Sequence, residues 1–73
     1  MIETIERAEE KLKTYGEYNF EKEDDQFGAP YGAALLRKIF PTVQRVKGTG
    51  IYCSYWSTPI GKVVVTCRRI VRI

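Results

Sequence analysis

Histidine is absent from the 73-residue chain, which removes the commonest general base at neutral pH and the usual protein ligand of a transition metal. Two cysteines are present, Cys53 and Cys67; without histidine they make neither a zinc site nor a Cys-His nucleophile. The six glycines, at 16, 28, 32, 48, 50 and 61, include no phosphate loop ending in Gly-Lys-Ser/Thr. No apolar run approaches the roughly 18 residues that a membrane-spanning helix needs. Met1 leads into an acidic, helix-patterned segment rather than the basic and then apolar regions of a secretory signal. These absences point away from an enzyme, a bound cofactor and a membrane, and toward the cytosol. No internal repeat or low-complexity tract is present either.

The most informative absence is of one sign of charge. All nine acids fall between Glu3 and Asp25, where four bases oppose them, a balance of −5. From Gln26 to Ile73 there is no acid at all against eight bases, a balance of +8. The net +3 hides this partition. With 44% apolar, 12% aromatic and 29% charged residues, the chain has too many large apolar groups for disorder. At this length it forms one small domain, residues 1–73, with an acidic helical part (1–25) and a basic part (26–73).

Ile2, Ile5, Ala8, Leu12 and Tyr15 recur every three or four residues, predicting an amphipathic helix that ends at Gly16, a suitable C-cap. Tyr18 and Phe20 alternate with polar residues as in a short strand, and Glu21 to Asp25 reads as a solvated acidic loop. A metal at Glu23, Asp24 and Asp25 is the weaker reading of that run, since the spacing is not that of a calcium loop. Pro30 suits the first turn of a second helix, which runs to about Phe40 and is stopped by Pro41. Tyr31, Leu35, Leu36, Ile39 and Phe40 supply its apolar side, and Arg37 and Lys38 complement the dipole at its end.

After Pro41 the chain turns to Val, Ile, Thr and aromatics, the chemistry of strands. Gly48-Thr49 suits a type II′ turn that pairs Lys47 with Gly50 and Val46 with Ile51. Pro59-Ile60-Gly61 suits a three-residue hairpin loop, which makes Thr58 face Lys62 and Cys53 face Cys67. In that register Ile51, Cys53, Tyr55, Val63, Val65, Cys67, Arg69, Val71 and Ile73 line the core face. Tyr52, Ser54, Trp56, Lys62, Val64, Thr66, Arg68, Ile70 and Arg72 line the other, joined by Arg45 and Lys47. A one-residue slip would exchange the faces and bury Trp56. The facing cysteines lie within disulfide reach, but in a reducing compartment they read as free, small hydrophobes.

The expected fold is α+β, with two helices packed on a three-stranded antiparallel meander from about Thr42 to Ile73. The alternative is a winged-helix-like module, helices followed by a long hairpin, with Arg37 and Lys38 on its recognition helix. The leading functional expectation is a non-enzymatic nucleic-acid-binding module. Arg45, Lys47, Lys62, Arg68 and Arg72 would meet phosphates and Tyr52 and Trp56 would stack on bases, with Arg37 and Lys38 as secondary bases. The alternative is a small protein-interaction factor, a regulator or inhibitor, that docks on a larger protein through its acidic helix, sheet edge or basic face. Self-association as a homodimer is a third reading, because opposite charges on two segments can be matched between chains. The arrangement that separates these readings is where the acids lie relative to the arginines.

Overall fold

Ala8 and Leu12 bury one side of the first helix, α1 (Ile2–Tyr15), in a computed structural model that describes residues 2–46 and 53–73. The helix ends as its sequence predicts. Gly16 adopts a φ of 73° and its N–H donates to the Leu12 carbonyl at 3.0 Å, a conformation that glycine enters without the Cβ penalty. The chain then forms strand β1 (Glu17–Tyr18), helix α2 (Phe20–Asp24), helix α3 (Ala29–Ile39) and strands β2 (Gln44–Arg45), β3 (Ser54–Thr58), β4 (Gly61–Val65) and β5 (Ile70–Arg72). The class is α+β. The strands form one five-stranded sheet in the order β1-β5-β4-β3-β2, every neighbouring pair antiparallel.

Three local features depart from expectation, and each has a short polar side chain at its origin. The first is α2, which replaces the expected acidic loop. Asn19 caps it by accepting from the Lys22 N–H at 3.0 Å, and Asp25 closes it in the left-handed region with φ 53°, a conformation Asp tolerates better than most residues. The second is the β3–β4 turn. Thr58 Oγ1 accepts from the Ile60 N–H at 3.1 Å and donates to the Gly61 carbonyl at 2.6 Å, which tightens the loop to Pro59 and Ile60. Thr58 therefore faces Gly61, not Lys62, and Trp56 faces Val63.

The third is a turn inside what was expected to be one long strand. Thr66 Oγ1 accepts from the N–H groups of Arg68 and Arg69 at 3.2 and 3.1 Å. The chain reverses there, β4 and β5 pair through Val65 and Ile70, and a three-stranded meander becomes part of a five-stranded sheet. β1, from the acidic third, adds itself to the β5 edge through Tyr18 and Ile70. The winged-helix-like alternative is thereby excluded: it needs a further helix over Phe20 to Gln26, most of which α2 supplies, but the strands make a five-stranded sheet rather than a lone hairpin.

The one-residue change in the β3 register exchanges that strand's faces. Ser54 and Trp56 join Val63, Val65 and Ile70 in the core, under the helices, together with Tyr18, Phe20, Leu35 and Leu36. Tyr55, Val64 and Val71 fall in one cross-strand row on the opposite face and are half-buried. Among the described residues no helix packs on that face. Val46 donates to the Tyr55 carbonyl at 2.8 Å, so its expected pairing with Ile51 is replaced. The expected Gly48-Thr49 turn lies outside the described residues. Cys53 and Cys67 form no disulfide and are partly exposed; with Ser54 facing Val65 they are not cross-strand partners.

α1 packs against β1 and β5, and α3 against β4 and α1. The acidic helix thus lies toward the β1 edge, while β2 and its Arg45 form the other edge.

Candidate nucleic-acid interface

Ala29, Ala33 and Arg37 stand four residues apart and share one side of α3. Two small side chains on that side leave a gap between α3 and the sheet, and the third places a cation at its end. The result is a groove of about 370 Å³ with Ala29, Pro30, Ala33 and Arg37 on the helix wall. Cys53, Ser54 and Trp56 line the sheet side and Arg45 the strand at the edge. Trp56 is 2% exposed. Its indole N–H donates to Ser54 Oγ at 2.8 Å, and the Arg37 guanidinium carbon lies 4.8 Å from the ring centroid.

Stacking of this kind occupies the face of a guanidinium and leaves its in-plane N–H donors for a ligand. Arg45 is the cross-strand neighbour of Trp56 and lines the same groove from the sheet edge. Neither arginine pairs with a carboxylate among the described residues, and none of the residues lining the groove is acidic. Two guanidinium groups at one concave site, with no anion of the protein's own between them, suit phosphate or carboxylate oxygens.

The remaining expected site residues are dispersed. Lys62 is the second residue of β4, opposite Ser57 and on the uncovered face. Arg68 lies in the β4–β5 turn, 3.6 Å from Glu21 and with its guanidinium carbon 5.8 Å from the Phe27 centroid. Arg72 is in β5, where its N–H donates to the Gly16 carbonyl at 2.7 Å. Lys38 ends α3. Lys47 and Tyr52 lie outside the described residues. The single basic and aromatic sheet face expected from the hairpin register is therefore not formed, because the β3 slip and the extra turn send its members to different sides. Trp56 lies beneath Arg37 and offers no free face for a base. What the structure brings together instead is Arg37, Arg45 and Trp56.

The acids divide as well. Glu17 reaches Arg69 at 3.2 Å and Glu21 reaches Arg68, which are the ion pairs that join the two charge segments. The others stay within the acidic third, Arg7 with Glu23 and Asp24, Lys11 with Glu23, and Lys13 with Glu9. Glu3, Glu6 and Glu10 on α1 have no base partner among the described residues.

A second constellation was invisible in the sequence. The Asp24 carboxylate is 5% exposed and accepts from Tyr18 Oη at 2.5 Å, Tyr31 Oη at 2.8 Å and Arg7 Nη2 at 3.0 Å. It joins four elements, α1, β1, α2 and α3. Burial first, and then the bond to Asp24, hold the Tyr18 phenol well above its ordinary pKa and push that of Tyr31 up to about 12. Arg7 Nη2 and both phenols are engaged by Asp24, while Arg7 Nε is buried without a hydrogen-bond partner among the described residues, 3.7 Å from Glu23. Because it joins four elements, the cluster reads as a staple of the fold. Among the described residues no group of three His, Cys, Asp or Glu side chains could hold a metal ion, and no helix is long and apolar enough to cross a membrane.

Comparison of the chain with protein-family models, with curated proteins and with solved structures gave no match.

Proposed function

We propose that the protein is a non-enzymatic nucleic-acid-binding module that takes phosphates in the groove between α3 and the β2 edge. The observation that carries this reading is that Arg37, which lies over Trp56, and Arg45 line one groove whose described lining holds no acid. The other paired arginines, Arg68 and Arg69, already face Glu21 and Glu17. Phosphate contacts position a nucleic acid without reading its sequence, so this site gives affinity rather than base specificity.

Trp56 is the chain's one tryptophan, and its contact with Arg37 makes it a local reporter. Titration with a fluorescein-labelled oligonucleotide at low salt should raise the anisotropy of the label and change Trp56 emission at the same concentrations. Arg45→Ala should weaken binding about tenfold, the effect of one charge-assisted contact. If neither single- nor double-stranded oligonucleotides bind the wild type even at low salt, the reading is wrong.

One observation favours the alternative of a protein-interaction factor: the half-buried row Tyr55, Val64 and Val71 on a sheet face that no described element covers. Val64→Glu at the centre of that row tests where an oligonucleotide sits. Unchanged binding in this variant with loss in Arg45→Ala keeps the groove as the site, whereas loss in a folded Val64→Glu with Arg45→Ala unchanged moves it to the open face.

A further inference from the structure

Phe27 is 63% exposed, and the backbone on either side of it is held. Gln26 donates to the Phe20 carbonyl at 3.4 Å, and Gly28 donates to the Cys67 carbonyl at 2.7 Å. The second bond ties the segment before α3 to the chain entering the β4–β5 turn, which places Arg68 beside the ring. A single exposed phenyl group is ordinary on a protein surface. This one differs in its neighbours. Arg68, itself 67% exposed, approaches the ring. Two residues further along the chain, Ala29 and Pro30 begin the wall of the Arg37–Arg45 groove.

From Ala29 to Arg37 the helix rises about 12 Å at 1.5 Å per residue. Stacked nucleotides of one strand follow at about 3.4 Å, so the groove is about three nucleotides long. Phe27, two residues before Ala29, flanks the start of the groove with Arg68 beside its ring; Arg68 itself lines a separate hollow with Glu21 and Arg69, and Arg37 and Arg45 line the groove. Glu21 shares Arg68, but both side chains are exposed at 3.6 Å, and surface pairs of this kind yield readily to a competing anion.

We infer that these features form one track for a single strand of nucleic acid, in which Phe27 stacks on an unpaired base and Arg68, Arg37 and Arg45 take successive phosphates. The inference rests on the nucleic-acid reading above and adds the form of the ligand. The stack decides between the forms. A duplex hides its base faces and would present only backbone to Phe27, whereas a single strand offers bases to an aromatic ring and phosphates to cations together.

The test is anisotropy at low salt with a labelled single-stranded oligonucleotide, an abasic strand of the same length, and a duplex hairpin, on wild type, Phe27→Ala, Phe27→Tyr and Arg45→Ala. The single strand should bind wild type more tightly than the duplex. Phe27→Ala should lose about fivefold to 150-fold for the single strand, the range for one base–aromatic stack, with no change for the duplex or the abasic strand. Phe27→Tyr should restore the single strand, and Arg45→Ala should weaken all three ligands. If Phe27→Ala matches wild type on the single strand while Arg45→Ala is weakened, the track is wrong and the groove stands. Tighter binding of the duplex by wild type also overturns the track. If no ligand binds wild type, both fall. Because Phe27 is exposed, an unchanged thermal transition in the variants shows that the fold is intact.

Discussion

Asp24 accepts three donors from three other elements, and removing its charge tests how far one residue holds the helix layer together. Asp24→Asn keeps the shape and an acceptor but loses the charge-assisted bond to Arg7 and weakens those from Tyr18 and Tyr31. The expected loss at pH 7 is about 2–3 kcal/mol, the scale of hydrogen bonds to a charged group. The tyrosines give this staple a pH signature. Their folded pKa values lie above the unfolded value near 10, with Tyr31 at about 12. Their contribution is thus complete below pH 10 and is lost as pH rises from about 10 through 12 and beyond. Urea unfolding of wild type should show stability falling across that window. The fall should be shallower in Asp24→Asn, whose phenols lie closer to 10. Parallel curves for the two proteins would mean that burial alone raises the phenols and that the bond to Asp24 adds nothing.

At the scale of elements, α3 meets the sheet through Gly32. A Cβ there would lie 2.6 Å from Val65 Cγ1 and 2.8 Å from Phe20 Cε2, both in the core. Gly32→Ala therefore sets two known effects against each other. Alanine favours an interior helical position by about 1 kcal/mol, while overpacking a close-packed core costs about 1–3 kcal/mol. With two buried side chains closer than real Cβ contacts allow, overpacking prevails, and a net destabilisation of about 1–2 kcal/mol by chemical denaturation is expected. A raised or unchanged midpoint would show that Phe20 and Val65 can yield.

The same scale explains what could be read in advance. α1 with its Gly16 cap and α3 with Pro30 in its first turn follow from periodicity and terminal residues, because those signals are local. The strand registers did not, because two threonine hydroxyls decide them. Thr58 shortens one turn by a residue and Thr66 creates another, and neither leaves a mark in hydrophobic alternation. Each shift of one residue moved Trp56 into the core and scattered the lysines and arginines. The groove had a signal after all, in the Ala29, Ala33 and Arg37 spacing, which lies beside the apolar stripe that defines α3. The Asp24 staple had none, since its partners are 17, 6 and 7 residues away.

For the whole molecule, the −5 and +8 segments meet at Glu17–Arg69 and Glu21–Arg68, while α1 and the Arg37–Arg45 groove stand apart. The acidic side of α1 lies toward β1 and the groove lies at β2, with the other three strands between them. Four strand spacings of about 4.8 Å put those edges roughly 19 Å apart. That is nearly two Debye lengths at 0.1 M salt, so the groove should respond to its own arginines and scarcely to the net charge. Two variants separate these quantities. Replacing Glu3, Glu6 and Glu10 together by Gln raises the net charge from +3 to +6 without touching the groove. Arg45→Ala lowers it by one at the site. At 0.1 M salt the triple variant should bind an oligonucleotide within about twofold of wild type, as screening over that distance implies. Arg45→Ala should be about tenfold weaker. The salt dependence should agree. If Arg37, Arg45 and Arg68 each displace one counterion on a single strand, the log–log slope is about −2, falling to about −1.4 in Arg45→Ala. It should be unchanged in the triple variant. A triple variant that gains more affinity than Arg45→Ala loses would mean that binding follows net charge, and that the groove is not where the nucleic acid lies.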